Sequence, residues 1–357
     1  MSQFTPTSPD VSVLMVVHDA EKTVRRAVES LQNQTMRNFE LVVVDQGSSD
    51  STPRILDALS ERDMRLSVIR AGSCGRQEAL NLALGRAVGE YVLIMDADGW
   101  AEPSMLSSLF EAARQGALEL AVGGLALAVA VASGRVTEIQ MAAESCVYPT
   151  QHDFRAAAWE LFGSGQLLPA SGKLFSRARL EEWDVRFDAA AGTDHSFVVD
   201  FLRNVERVGV VGGVCYHVAR RFSEGTRATA GAEGYRRLEA EHAALLGLYR
   251  SWGLDGDVAS MEMIQSRYLE QLVGCVEGVC GWGSAVPSGE QKTMVAKMIG
   301  TERAQLAASV GRPRGNSARA MQAPIKAGNV ALACVQARLI SLLRRGGIAE
   351  VVPDAFV

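Results

Sequence analysis

"VSVLMVVHDAEKTVRRAVESLQNQTMRNFELVVVD", residues 11–45, carries two periodicities in turn. Val11–Val17 is apolar at nearly every position and mostly β-branched, as a strand buried on both faces of a parallel sheet should be. Val24, Ala27, Val28 and Leu31 then recur at helical spacing, with charges on the other face. Leu41–Val44 is a second buried strand. A strand, a helix and a strand in so short a span make a βαβ unit with parallel strands.

The alternation continues outward. Ser51 or Thr52 is placed to cap a helix whose first turn holds Pro53. Leu66–Arg70 reads as a third strand, Glu78–Ala87 as a helix and Tyr91–Met95 as a fourth strand. The fold expected is α/β, a mostly parallel sheet flanked by helices on both faces. From Ala101 the pattern loosens: a helix after Pro103, strand structure near Leu118–Ala132, a helix within "GTDHSFVVDFLRN" (192–204) and a strand over Val208–Val218. "RRFSEGTRATAGAEG" (220–234) reads as a linker. Helices are expected near 235–250, 257–281, 288–309 and 317–345. Residues 1–10 (MSQFTPTSPD) read as a flexible tail with no leader sequence, 11–223 as the main domain and 224–357 as a C-terminal helical region.

Ligands of such sheets bind outside the carboxyl ends of the strands. Here those ends lead into His18-Asp19, Asp45–Ser48, Gly72–Arg76 and Asp96-Ala97-Asp98. Acids end both the second and the fourth strand. Two carboxylates one residue apart repel and resist desolvation, so "MDADGW" calls for a compensating cation or ligand.

A hydrophobic fraction of 48% with 22% charged residues is that of a soluble globular protein, and a net charge of -5 gives no reason to expect nucleic-acid binding. The six cysteines form no CxxC pairs and are expected as reduced thiols in a cytoplasmic protein. The longest uncharged stretch, Leu120–Gly134, falls short of the roughly 18–20 residues that span a bilayer.

The first hundred residues resemble the family-2 nucleotide-sugar glycosyltransferases of the GT-A fold. The motifs that carry the likeness are "VSVLMVVHDAEKT", "LVVVDQGSSDSTPRIL", "GRQEALNLALGRAVGEYVLIMDADGW" and, more loosely, "SGKLFSR", "GTDHSF" and "CYHVARR" as far as Arg221. The resemblance implies a GT-A-type, Rossmann-like domain with a nucleotide-binding half over 11–100 and an acceptor half over 101–223. Asp45 stands at the family's nucleobase-contacting acid, and His18 stands beside the base. Arg76 matches the basic residue near the nucleotide. Asp96 and Asp98 match the DxD, Asp98 on the metal and Asp96 near ribose or metal. Asp194 matches the acid of "GED", the base. His217 with Arg220 or Arg221 matches a stretch near the diphosphate, and Lys173 is a candidate acceptor contact. Gln46, Thr193 and the Val16–Asp19 stretch depart from the family pattern.

The chemistry suits these residue types. A diphosphate gathers negative charge as the glycosidic bond breaks, and Mg²⁺ or Mn²⁺ held by carboxylate oxygen stabilises it. The acceptor hydroxyl must lose a proton, which one placed carboxylate can take. Asp194 is that candidate, with helix capping as its alternative use and His195 as its rival. A single base opposite the leaving group implies inversion.

The expected function is metal-dependent, inverting transfer from a nucleoside-diphosphate sugar, UDP-linked, to a glycan or lipid-linked acceptor in cell-envelope polysaccharide synthesis. A non-catalytic sugar-nucleotide-binding or scaffold protein is the alternative. A nucleotidyltransferase would need glycines directly after the first strand, and a dinucleotide oxidoreductase would need GxGxxG there; "VVHDAEKT" has neither. In the tail, "APIKAGNVALACVQARLISLLRRGG" has an apolar stripe. It is expected to pack on the catalytic domain or a partner subunit, with peripheral association at the inner face of the membrane as the alternative.

Overall fold

A computed structural model describes residues 8–130, 136–191, 193–221 and 224–345. Strand β1 (Val11–Val17) is buried along its whole length and pairs in parallel with both β2 (Phe39–Asp45) and β4 (Tyr91–Asp96). β3 (Leu66–Arg70) extends the sheet beyond β2, also in parallel. Apolar residues fill β1 because both of its faces are covered. Helices α1 (Val24–Gln32), α2 (Thr52–Ser60) and α3 (Arg76–Leu84) connect these strands. α1 buries Val24, Ala27, Val28 and Leu31, the stripe read from its spacing.

After β4 the sheet changes character. β5 (Trp100–Ala101), α4 (Met105–Gln115), β6 (Leu120–Ala130), β7 (Val136–Met141), β8 (Cys146–Tyr148) and α5 (Gln151–Gly163) follow in the chain. Then come β9 (Lys173–Ser176), α6 (Arg177–Glu182), α7 (His195–Leu202) and β10 (Val208–Arg221). β9 runs antiparallel to β4 and to β6, and β10 antiparallel to β5 and β8. The ten-stranded sheet has the order β3-β2-β1-β4-β9-β6-β10-β5, with β7 on β6 and β8 on β10. The parallel half thus abuts an antiparallel half along β4, the strand that ends in Asp96.

Among the described residues the chain divides into two units. The first runs up to Ala128 and from Glu138 to Ala219, and the second is built mainly from Arg220 onward. The second is helical: α8 (Glu224–Ser251), α9 (Val258–Cys280), α10 (Ser288–Ile299), α11 (Glu302–Val310), α12 (Asn316–Lys326) and α13 (Val330–Arg345). Its core gathers Tyr268, Leu269, Leu272, Val276, Met298 and Met321. The six cysteines of the chain are free thiols.

Three expectations are corrected here. The stretch read as a linker over 220–234 is strand to Arg221 and helix from Glu224. The helix expected over 288–309 is two helices, broken at Gly300 and restarted by Thr301, whose side chain accepts from the Ala304 N–H. The helix expected over 317–345 is also two. Gly328 takes a left-handed φ of 62° after α12, and Asn329 Oδ1 accepts the Leu332 N–H to start α13.

Candidate active site

Strand register places the acids. Asp45 lies opposite Val17 of β1 and Arg70 of β3, whereas Asp96 lies opposite Val16. Successive strand residues point to opposite faces, so the two carboxylates serve different surroundings. Asp45, 2% exposed, has Oδ2 on Arg70 Nη1 (2.8 Å), while Oδ1 accepts from the Ser48 N–H (3.0 Å) and hydroxyl (2.7 Å). Arg70 also donates to the Pro53 carbonyl and pairs with Asp57 of α2. Sequence reading missed Arg70. The signal available was an arginine ending the parallel strand next to Asp45.

Asp96 faces α3 instead. Arg76, first residue of that helix, donates through Nη2 to Asp96 Oδ1 (2.6 Å). Ser171 Oγ donates to Oδ2 (3.1 Å), and the Asp96 N–H donates to Tyr216 Oη (2.8 Å). Burial opposes the charge on Arg76, but Asp96, then Asp194, and the hydrogen bond outweigh it and hold the guanidinium pKa above its ordinary value. Burial, reinforced by the Asp96 charge, pushes the Tyr216 phenol well up, so it serves as a neutral hydroxyl. Both oxygens of Asp96 thus meet protein partners.

A polar stripe on α1 grips the segment after the DxD. Arg26 Nη2 donates to the Asp98 carbonyl (2.7 Å), Ser30 Oγ accepts the Ala101 N–H (3.1 Å), and Gln34 Nε2 donates to the Glu102 carbonyl (2.7 Å) while its Oε1 accepts the Leu106 N–H (3.0 Å). Arg26 and Ser30, spaced by four, share one face of α1, and Gln34 lies just past its end. The Arg26 guanidinium lies 4.0 Å above the Trp100 ring, which stacks on His217 at 4.8 Å and 2°. His217 Nε2 meets Glu102 Oε1 at 2.7 Å. His217, expected near the diphosphate, is thus held between Trp100 and Glu102. Gly99 is required by contact, since a Cβ there would collide with the Tyr216 hydroxyl and lie 2.9 Å from the His217 carbonyl.

The first two strand-end loops interlock by reciprocal hydrogen bonds. Asp19, at φ 45°, accepts the Ser49 N–H (2.7 Å) and Asp50 N–H (3.3 Å) on Oδ1. The Ser49 bond, foremost among the favourable contacts, holds its carboxyl below the usual aspartate value. Asp50 accepts the Glu21 N–H, and Thr52 Oγ1 the Ala20 N–H (2.8 Å). Ser51 holds the N-cap position of α2, as expected, but makes no side-chain capping bond; Asp50 Oδ1, one residue earlier, takes the Thr52 N–H (2.8 Å). Gln46 Nε2 ties in the third loop through the Cys74 carbonyl (2.7 Å). His18 is exposed, 3.6 Å from Asp19.

Asp194 occupies the N-cap position of α7 without a side-chain capping bond. Its charge instead bears on Arg76 and on Lys173. His195 is buried. Lys173, first residue of β9, is 0% exposed, and its Nζ donates to the Pro169 carbonyl. Burial pushes its amine down to about 7 against the pull of Asp194 and Cys215. That burial corrects its reading as an acceptor contact, because no acceptor reaches it. Burial likewise raises the Cys215 thiol to about 12, with Lys173 pulling the other way. The side chains of Arg220 and Arg221 lie outside the described residues.

Residues 12–157 match the family model described as glycosyl transferase family 2. That stretch of the chain is similar to the glycosyltransferases of family 2. The chain is 32% identical over 113 residues to the glycosyltransferase GlyA of Streptococcus pneumoniae, covering 32% of this chain and 16% of that protein. Over 216 residues it is 29% identical to the succinoglycan biosynthesis protein ExoO of Rhizobium meliloti, covering 59% of this chain and 61% of that one. The matches span 16% to 38% of the length of the first curated relatives. Among solved structures, S. aureus TarS residues 1–349 superposes with a TM-score of 0.63 at 18% identity, over 95% of this chain and 92% of that one. That likeness is one of fold, and the fold is the GT-A type.

The resemblance to that family implies a divalent cation. Among the described residues no three His, Cys, Asp or Glu side chains cluster to hold one. The residues fit Mg²⁺ or Mn²⁺ in a different manner. Such ions are commonly held by one or two carboxylates plus substrate phosphates. Asp98, half-buried directly after the Asp96–Arg76 pair, is the carboxylate placed for that.

Proposed function

We propose that this chain transfers a sugar from a nucleoside-diphosphate sugar, with UDP as the nucleotide, to a hydroxyl of a glycan or lipid-linked acceptor, with inversion. The observation that carries the reading is the joint position of Arg76, paired with Asp96 at the DxD and within the field of Asp194. One cation thereby links the proposed diphosphate end to the proposed base.

In this reading Asp45, Arg70 and the exposed His18 border the nucleoside, and Arg76 the phosphates. Asp194 accepts the acceptor's hydroxyl proton as that oxygen bonds to the anomeric carbon. The bond from that carbon to the β-phosphate oxygen breaks, and its electron pair leaves with the nucleoside diphosphate. Asp98 would hold the Mg²⁺ or Mn²⁺ ion, whose chemistry is to offset the charge of the departing diphosphate. Proton removal by one placed carboxylate contributes about 10²–10⁴-fold.

UDP is supported by the fold shared with TarS, solved in complex with UDP and with UDP-GlcNAc. A role in polysaccharide synthesis is supported by the similarity to the succinoglycan biosynthesis protein. The test is UDP release from a panel of UDP-sugars with and without Mn²⁺. Metal-dependent release by the parent, lost in Asp98→Ala and Asp194→Asn, is expected. Equal release by parent and both variants overturns the reading, and nucleotide binding without any turnover favours a non-catalytic binding protein.

A further inference from the structure

α13 is fixed to the end of α9 by contacts in register. Cys334, Arg338 and Ser341 lie on one face of α13, spaced by four and then by three. Each meets the last residue of α9 or the turn that follows it. Arg338 Nε donates to the Cys280 carbonyl (3.3 Å), and Ser341 Oγ accepts the Trp282 N–H (3.1 Å). Cys334 Sγ lies 3.0 Å from Cys280 Sγ, 54 positions away in the chain. Both thiols are buried in the core of the helical unit. The sulfurs of a disulfide stand about 2.05 Å apart, so bonding these two needs a closure of about 1 Å.

A metal suits the pair less well. A structural zinc site takes four ligands, and among the described residues no three His, Cys, Asp or Glu side chains cluster. Burial, with Cys334 adding to it, pushes the Cys280 thiol up to about 12, while Arg338 pulls the other way. Cys280 therefore rests as a thiol. Cys334 is 5% exposed against 1% for Cys280, and is the sulfur that a small oxidant meets first.

We propose that Cys280 and Cys334 are a redox-sensitive dithiol that closes to an intramolecular disulfide and staples α13 to α9. The inference stands apart from the sugar-transfer reading. With hydrogen peroxide as oxidant, the Cys334 thiol takes one peroxide oxygen to become a sulfenic acid, and water leaves. The Cys280 sulfur then bonds to that sulfur. The S–O bond breaks, and the hydroxide leaves with the Cys280 proton as a second water. Two thiols are oxidised, and one peroxide is reduced to two waters. The bond closes a loop that contains α10, α11 and α12. Closing so long a loop removes much of the freedom of the opened chain.

The test exposes the folded, full chain to hydrogen peroxide, alkylates the remaining thiols and digests the chain without reduction. A peptide pair joined through Cys280 and Cys334 is expected, and dithiothreitol is expected to part it. Hydrogen exchange of the α13 amides is expected to slow at least about tenfold on oxidation and to recover on reduction. Cys334→Ala is expected to abolish the slowing, and should it melt early, Cys280→Ala takes its place. Cys275→Ala, at the other cysteine of α9, is expected to keep the slowing. The absence of a joined pair, a pair made through Cys275 instead, a cross-link between two chains, or unchanged exchange in α13 overturns the proposal.

Discussion

The strand-end loops of the sheet unit and the last helices of the helical unit handle charge in opposite ways. Around the strand ends each of several acids is answered inside the protein: Asp45 by Arg70, Asp96 by Arg76, Asp19 by the Ser49 N–H and Asp50 by the Thr52 N–H. Between Arg303 and Arg345 cations have no acid in the same stretch of chain, and leucines face solvent. The difference separates two kinds of surface. Acids fixed by several hydrogen bonds hold a geometry, as chemistry requires. Leucines turned to solvent on α13 fix no such geometry.

The largest effect that would sharpen this contrast lies at the proposed base. Asp194→Asn is expected to lower kcat by about 10²–10⁴-fold, with the donor's thermal shift kept. Near-parental turnover would remove Asp194 from the chemistry. Next comes Asp98→Ala, expected to abolish the metal-dependent part of the melting-temperature rise that UDP causes. A rise that stays metal-dependent would send the ion elsewhere.

Asp96→Asn tests whether Asp96 works by holding Arg76. Denaturant unfolding is expected to show a loss of about 1–3 kcal/mol. Adding Arg76→Met should recover part of it, because the unpaired guanidinium is then gone. Additive losses would break the pairing argument.

A smaller effect is expected at Lys173. Its folded amine titrates at about 7 against an ordinary 10.5. Between those values the unfolded chain binds a proton that the folded chain has released, so this group makes stability rise with pH across the window. Below pH 7 both states hold the proton and its contribution is flat. Lys173→Met is therefore expected to gain most in melting temperature over the parent at or below pH 7, with the gain shrinking towards pH 10. A difference independent of pH would mean the buried amine does not titrate there.

The smallest effect is expected from the other side of the comparison. Val335→Glu/Leu339→Glu should leave UDP release to a soluble acceptor unchanged and shift stability by no more than about 0.5 kcal/mol. Lost turnover in free solution would place α13 within the catalytic machinery.

Much of the first hundred residues was legible. A parallel strand buried on both faces must be apolar throughout, so β1 and β2 stand out, and helical spacing marks α1 between them. The acids at the ends of β2 and β4 were legible too, because an acid is costly inside such a run. What those acids touch was not. Arg26, Ser30 and Gln34 look like the solvent face of a helix until the chain after β4 lies along it. Lys173 reads as a candidate acceptor contact, and its burial follows from β9 sitting between β4 and β6. In the helical unit the breaks at Gly300 and Gly328 carried ordinary stop signals, yet uninterrupted helical periodicity hid them.

The order of local residues alone determined the βαβ alternation, the DxD at a strand end and the candidate base at a helix start, since each depends on spacing within one segment. Only the tertiary structure decided that Asp45 and Asp96 serve different partners, that Arg76 pairs with Asp96 and feels the charge of Asp194, and that one face of α13 is left to solvent. Those outcomes depend on strand register and on which distant segments pack together. A register step turns a side chain to the other face of a sheet, and no local pattern records that choice.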